Sequence, residues 1–342
     1  MLKRLEECFL QILESDLHMY SLHEIKDKGY IPQKTQFLML TGGGIGLAKT
    51  LLFNLGDLKK LRTIPSGGER YIRPIRPYEL PIFNNSMKFC DSNEKYLRQT
   101  LHCDPHEKEV IALAHQLGAY KLSDRDFAEA AFHFVKEKMT LEIMPFTPVS
   151  QTIKRGTGTC IHLISVFIAL CRAAGIKARY KMFAMNMIKA WYDAVVDVDP
   201  LVKKWYDSMG YFMIEGEGEA FIDGKWVVAH VGPKAERQAA AGIPITKFGE
   251  DSLGTWFFAI PGSIMYMESI PFGLARSIQF LNKLAPGSME RVNISIQKQI
   301  AHGKNIIKDA GGIENYDLKA REKKEIKNPN LDLVSRSEIV FS

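Results

Sequence analysis

The sequence predicts a mixed α/β (α+β) fold in which one buried helix packs against an antiparallel sheet. Three observations carry this. Residues 160–174 hold a single charge, Arg172, so a helix there is apolar almost all round and belongs in the core. Ile176 to Tyr180 then suits a strand, with Gly175 at the left-handed position that closes a helix. Farther on, Asp223-Gly224 between apolar runs is a two-residue hairpin signal.

The other elements follow in order. A helical pattern over residues 2–22 and a glycine-containing apolar region over 35–48 open the chain, followed by an irregular Pro-rich stretch over 64–81. Residues 107–117 and 123–139 read as helices. In the second, Ser123 caps the start and Phe127, Ala131, Phe134 and Val135 form one face. Residues 183–211 are rich in aromatics and methionine, with a helix expected near 200–209, placed to cover the neighbourhood of Cys160 or to add core. Residues 235–241 read as an exposed helix or loop. Helices are expected over 271–284 and 288–307, before a polar tail of mixed charge.

Composition narrows the function classes. The 342 residues are 46% hydrophobic and 25% charged, globular values for about two domains or one decorated domain. The net charge of +6 is spread out, and the basic residues do not interleave with aromatics in one stripe, so no nucleic-acid partner is expected. Five cysteines, odd in number and without close pairing, fit reduced thiols and a cytoplasmic location. The start of the chain lacks a signal peptide's apolar run. The uncharged stretches 35–48 and 256–267 fall short of the roughly 20 residues of a membrane span and contain breakers, so no integral membrane segment is expected. Gly42-Gly-Gly-Ile-Gly46 is followed by Leu47-Ala48-Lys49-Thr50, which fails the spacing of a phosphate loop.

Cys160 is the candidate nucleophile. Glycines precede it in Gly156-Thr-Gly-Thr-Cys160, and the positive end of a helix dipole favours a thiolate. Cys171, three turns along, reads as a small core hydrophobe. Glu215, Glu217 and Glu219 alternate along one strand and share a face, which has to be solvent or the wall of a site if the acids are unpaired. His162 points away from Cys160, and His302 is expected in solvent. Cys160, His162 and His230 show no paired ligand spacing, so neither metal nor another cofactor is expected.

The glycine-rich turn, Cys160, the apolar helix and Cys171-Arg-Ala-Ala-Gly-Ile-Lys-Ala-Arg179 resemble the nucleophile region of the transglutaminase-like superfamily, and 218–230 resembles its Asp-Gly-Lys-Trp hairpin. The resemblance implies a papain-like core over residues 111–260, between an N-terminal extension (1–110) and C-terminal helices with a polar tail (261–342). It also implies a nucleophilic role for Cys160. Counted from Asp223, the family's His position holds Glu215 and its Asp position holds His230, so base and orienting acid are exchanged between strands. The expected chemistry is acyl transfer or hydrolysis on an amide or thioester of a small or peptide-like substrate, with Cys160 as nucleophile, His230 as base and Glu215 as orienter. A shifted register with Glu250 or Asp251 as orienter stays open. So do non-covalent acid–base catalysis on a small hydrophobic substrate and an inactive binding domain. Oligomeric state is left undetermined.

Overall fold

The structure is a computed structural model that describes residues 52–53, 69–100, 102–187, 189–209, 212–252, 257–259, 264–270 and 286–322. The helices expected over 2–22 and 271–284, the apolar region over 35–48 and the tail beyond 322 lie outside the described residues. Residues 69–95 contain no helix or strand, as the prolines imply.

Helix α1 (Lys108–Gln116) and helix α2 (Asp124–His133) occupy the two expected positions, and the Ser123 side chain accepts from Asp126 N–H. A π-helical turn, Phe134–Lys138, prolongs α2 and keeps Phe134, Val135 and Lys136 all inward. Strand β1 (Thr140–Leu141) pairs in parallel with β2 (Thr157–Gly158), across helix α3 (Val149–Arg155).

Helix α4 (Cys160–Ala173) follows at once. Its N-cap Thr159 accepts from His162 N–H, and the His162 ring reaches back to Thr159, a capping box that satisfies two donors of the first turn. Gly158 has a packing reason here, since a Cβ would lie 2.5 Å from His162 Cβ. Ile161, Leu163, Ile164, Phe167 and Leu170 are all buried, each contributing about 1.5–3 kcal/mol of hydrophobic transfer. The single charge is absorbed by polar groups: Arg172 donates to the carbonyls of Ala178, Arg98 and Glu268 and to Thr100 Oγ1.

The sheet runs β5 (Lys225–Ala229), β4 (Phe212–Ile222), β3 (Ala178–Met187), β6 (Phe257–Ala259), and β7 (Met265–Met267) also pairs with β3; all these pairings are antiparallel. Asp223 and Gly224 take positive φ (52° and 77°), the two-residue turn their sequence demands. Helix α4 lies on β3 and β4, with Ser165 Oγ 2.8 Å from the Tyr180 hydroxyl. The α/β (α+β) expectation, a buried helix against an antiparallel sheet, is borne out.

Helix α5 (Lys189–Trp191), a π turn (Tyr192–Val196) and helix α6 (Pro200–Met209) fill the β3–β4 connection. Trp191, Val195, Val196 and Tyr206 form a second apolar cluster against which Cys160 packs. Helix α7 (Ala235–Ala240) corrects one expectation: Arg237, Gln238 and Ala239 are buried. The long helix α8 (Pro286–Asp309) crosses α7 so closely that a Cβ on Gly303 would lie 1.6 Å from Glu236 O. Helix α9 (Ile313–Arg321) closes over Ile243 and Ile245, where Tyr316 and Arg321 donate to their carbonyls.

Candidate active site

Cys160 is the first residue of α4 and remains partly exposed, whereas Cys103 and Cys171 are fully buried. Three chain segments bring the other candidates to it. Glu215 comes from β4, His230 follows the last residue of β5, and the chain then turns through Gly232. The Cβ position of Gly232 lies 3.6 Å from Cys160 Cβ, 3.8 Å from Glu215 Oε1 and 4.0 Å from His230 Nε2. The three residues proposed from the sequence therefore converge on one point, and a side chain at Gly232 would occupy it.

The sheet register explains why Glu215 is the acid that reaches Cys160. Glu219 stands opposite Arg179 and pairs with it at 2.6 Å; Glu217 stands opposite Lys181 and pairs at 3.0 Å. Glu215 stands opposite Phe183, which offers no charge. The shared face of the three acids is buried, and two of its carboxylates are neutralised by the neighbouring strand. Arg179 is in turn held between the rings of Trp226 (3.9 Å) and Tyr266 (4.0 Å).

Electrostatics correct the expectation of a dipole-stabilised thiolate. Burial and the facing Glu215 carboxylate push the Cys160 thiol well above its usual range, outweighing the Ile161 N–H that favours the thiolate. Burial also raises Glu215 to about 7, although the Gly216 N–H, the Cys160 thiol and the positive charge of Arg237 oppose it. Burial pushes His230 well below 6.5, and the charges of Lys136, Lys181 and Arg237 add to this. At neutral pH the resting site thus contains a protonated thiol, a neutral imidazole and a carboxyl group near its midpoint.

Other candidates fall elsewhere. His162 caps α4: its Nδ1 lies 2.8 Å from Thr159 Oγ1, its Nε2 lies 3.0 Å from Thr147 N, and Phe146 stacks on it. Glu250 is held by Arg321 and Lys247 N–H, and Asp251 by Lys181. His302 is exposed. Among the described residues no group of three or more His, Cys, Asp or Glu could hold a metal, and no helix is long and apolar enough to cross a membrane.

Two site residues carry no sequence signal. Lys136 is buried, and its ammonium donates to the carbonyls of His230 (3.3 Å) and Pro233 (3.0 Å) and to Gln238 Oε1 (3.0 Å), clamping the segment that holds His230 and Gly232. Burial lowers it to about 7. Arg237 is fully buried over the Trp191 ring at 3.8 Å, and its Nε donates to Gln299 Oε1 at 3.0 Å. Lys136 is buried within the π turn, and Arg237 is buried on α7 where α8 crosses it.

Residues 111–212 match the family model described as Transglutaminase-like superfamily. The match includes Cys160 and stops short of Glu215, His230 and Arg237. No curated protein matches the chain. A solved structure from Cytophaga hutchinsonii, described as a "putative cysteine protease", is similar at 19% identity with a TM-score of 0.29, covering 40% of this chain and 40% of that one. It is over residues 111–212, with Cys160 heading the buried helix, that this chain is similar to the transglutaminase-like superfamily.

Proposed function

We propose that this protein catalyses cysteine-dependent acyl transfer or hydrolysis on an amide or thioester of a small or peptide-like substrate. The observation that carries the proposal is the convergence of Cys160, Glu215 and His230 on the point beside Gly232. Cys160 sulfur attacks the carbonyl carbon, and its proton passes to Glu215. The negative carbonyl oxygen is received by the backbone N–H groups at the head of α4. Glu215 returns the proton to the departing amine or thiolate as the carbon–heteroatom bond breaks. Water or an amine then attacks the acyl-enzyme, loses its proton to Glu215 and frees Cys160, whose sulfur recovers that proton.

This exchanges the sequence-based roles of Glu215 and His230. A carboxyl near 7 in direct reach of the thiol is suited to carry a proton both ways. An imidazole flanked by Lys136, Lys181 and Arg237 takes a proton reluctantly, and acts instead as a neutral hydrogen-bonding group. The free thiols of Cys90, Cys103, Cys160 and Cys171 support a reducing, cytoplasmic setting.

One observation favours a second reading. The Cys160 thiol is protonated at rest, so Glu215 could serve non-covalent proton transfer with the thiol as a lining group. Incubation with acyl thioesters of N-acetylcysteamine, followed by intact-mass measurement and peptide mapping, separates the two. The expected result is an acyl adduct on Cys160 that Cys160→Ala lacks. The absence of any adduct across a range of acyl chains, with unimpaired turnover by Cys160→Ala on a substrate found by screening, would establish the non-covalent route.

A further inference from the structure

We propose that Arg237 is the substrate-recognition residue of this site and receives a carboxylate borne by the substrate's acyl part, through Nη1 and Nη2. The proposal rests on the reading of Cys160 as the reacting centre.

The guanidinium is built into place. Its plane lies on Trp191, and Nε is committed to Gln299 Oε1, whose own amide nitrogen donates to the Ala190 carbonyl at 3.4 Å. Both Nη atoms are buried and have no hydrogen-bonding protein partner among the described residues. A fork fixed in this way matches the two oxygens of a carboxylate. Leaving it unpaired inside the protein is unfavourable enough that burial lowers Arg237 to about 9.

The direction of the fork follows from its neighbours. The charges that act on Arg237 are those of Glu215 and Cys160, and Cys160 packs against the cluster that contains Trp191. Ion pairing with Glu215 is the simpler purpose to weigh against recognition. Yet no nitrogen of Arg237 lies within 4 Å of a carboxylate among the described residues, while the sheet pairs Arg179 with Glu219 and Lys181 with Glu217 directly. Arg237 is acted on by Glu215 and Cys160, and Glu215, near its midpoint, already supplies part of a negative charge, which favours a carboxylate monoanion over a phosphate dianion. The partly exposed Cys160 marks the side from which such a group enters.

The test uses full-length C160S protein, titrated by calorimetry with succinate, glutarate and adipate, with the corresponding diamides and with inorganic phosphate. At least one dicarboxylate should bind about 30-fold or more tightly than its diamide, and Arg237→Gln in the same background should erase the difference. Arg237→Lys, which keeps the charge without the fork, should lose most of it and serves if the Gln variant fails to fold by circular dichroism. Equal binding of acid and diamide, absence of dicarboxylate binding, or a preference untouched by both variants would overturn the proposal. Tighter binding of phosphate would overturn the carboxylate assignment. The second arm compares acylation of wild-type Cys160 by glutaryl and butyryl thioesters. Dicarboxylate binding without acylation removes the covalent reading and leaves the anion site standing. Equal acylation by the two thioesters removes the anion site and leaves the covalent reading standing.

Discussion

Phe183 stands directly across from Glu215 in the β3–β4 register, where the next two positions on the same face set Lys181 against Glu217 and Arg179 against Glu219. One apolar residue in an otherwise complementary ladder separates a structural acid from a reactive one. Without a cross-strand cation, Glu215 keeps the high value that burial imposes and faces Cys160 instead. A cation there would pull the carboxyl down and bind it. Phe183→Lys should therefore abolish acyl chemistry. It also removes a buried ring, so unfolding measurements should show a loss of about 3 kcal/mol or more.

Glu215→Gln separates thiol ionisation from catalysis. The carboxylate raises the Cys160 thiol, so the amide should bring it down and speed its alkylation by iodoacetamide at pH 8. Acyl transfer should fall about 100-fold or more, because the proton carrier is gone. Peptide mapping of the alkylated protein alongside turnover checks both signs. A fall in both rates would mean that Glu215 supports the thiolate instead of opposing it.

In the wild-type protein, labelling should be slow at pH 7 and accelerate above pH 9, with Cys160 reacting before Cys171. Both thiols are raised by burial, but only Cys160 has solvent access. Mass spectrometry of each cysteine-containing peptide over a pH series gives the order. Equal labelling while the protein remains folded would count against an accessible reactive centre.

Much of this was legible in the sequence, and its limits are physical. The Cys160 helix, the Asp223-Gly224 hairpin and the helix after Pro200 follow from local pattern, turn chemistry and capping. The meeting of Cys160 with Glu215 and His230 needed the hairpin count that the family resemblance supplied. The pairing of Glu217 and Glu219 was not legible, because strand alternation gives the face of a residue but not the register of the next strand. Nor were the roles of Lys136 and Arg237. A lysine beside Phe134-Val135 and an arginine in Ala-Glu-Arg-Gln read as solvated charges until a π turn and a crossing helix bury them. The expected thiolate failed for a related reason: the dipole is a local effect, while burial and the Glu215 charge come from tertiary structure.

His230 and Glu215 should differ in the pH dependence of acylation. Glu215 near 7 sets an acid limb, with activity rising as it ionises. His230, held well below 6.5, is neutral throughout that range. His230→Asn should lower the rate but leave the limb near pH 7, whereas Glu215→Gln should remove it. Rates measured from pH 5 to 9 on both variants decide the assignment; loss of the limb in His230→Asn would return the role of base to the imidazole.

Lys136 gives the last expectation, on stability. Its ammonium satisfies the His230 and Pro233 carbonyls and Gln238 Oε1, three acceptors on the segment that frames the site. Lys136→Met leaves these buried groups without their donor, at a cost of about 1–3 kcal/mol. The pH dependence carries a further signature. Lysine normally titrates near 10.5 and here near 7, so between these values the unfolded chain binds a proton that the folded protein does not. The contribution of this group is present in full above pH 10.5 and is lost as pH falls through 7. Wild-type stability should therefore decline from pH 9 to pH 7 by about 1.4 kcal/mol per pH unit from this residue alone, and Lys136→Met should lack that slope. Denaturant unfolding of both proteins at pH 7, 8 and 9 measures the difference. Parallel slopes would mean that the ammonium is charged in the folded protein across this range, held so by Glu137, Glu236 and Glu250, which favour its charge.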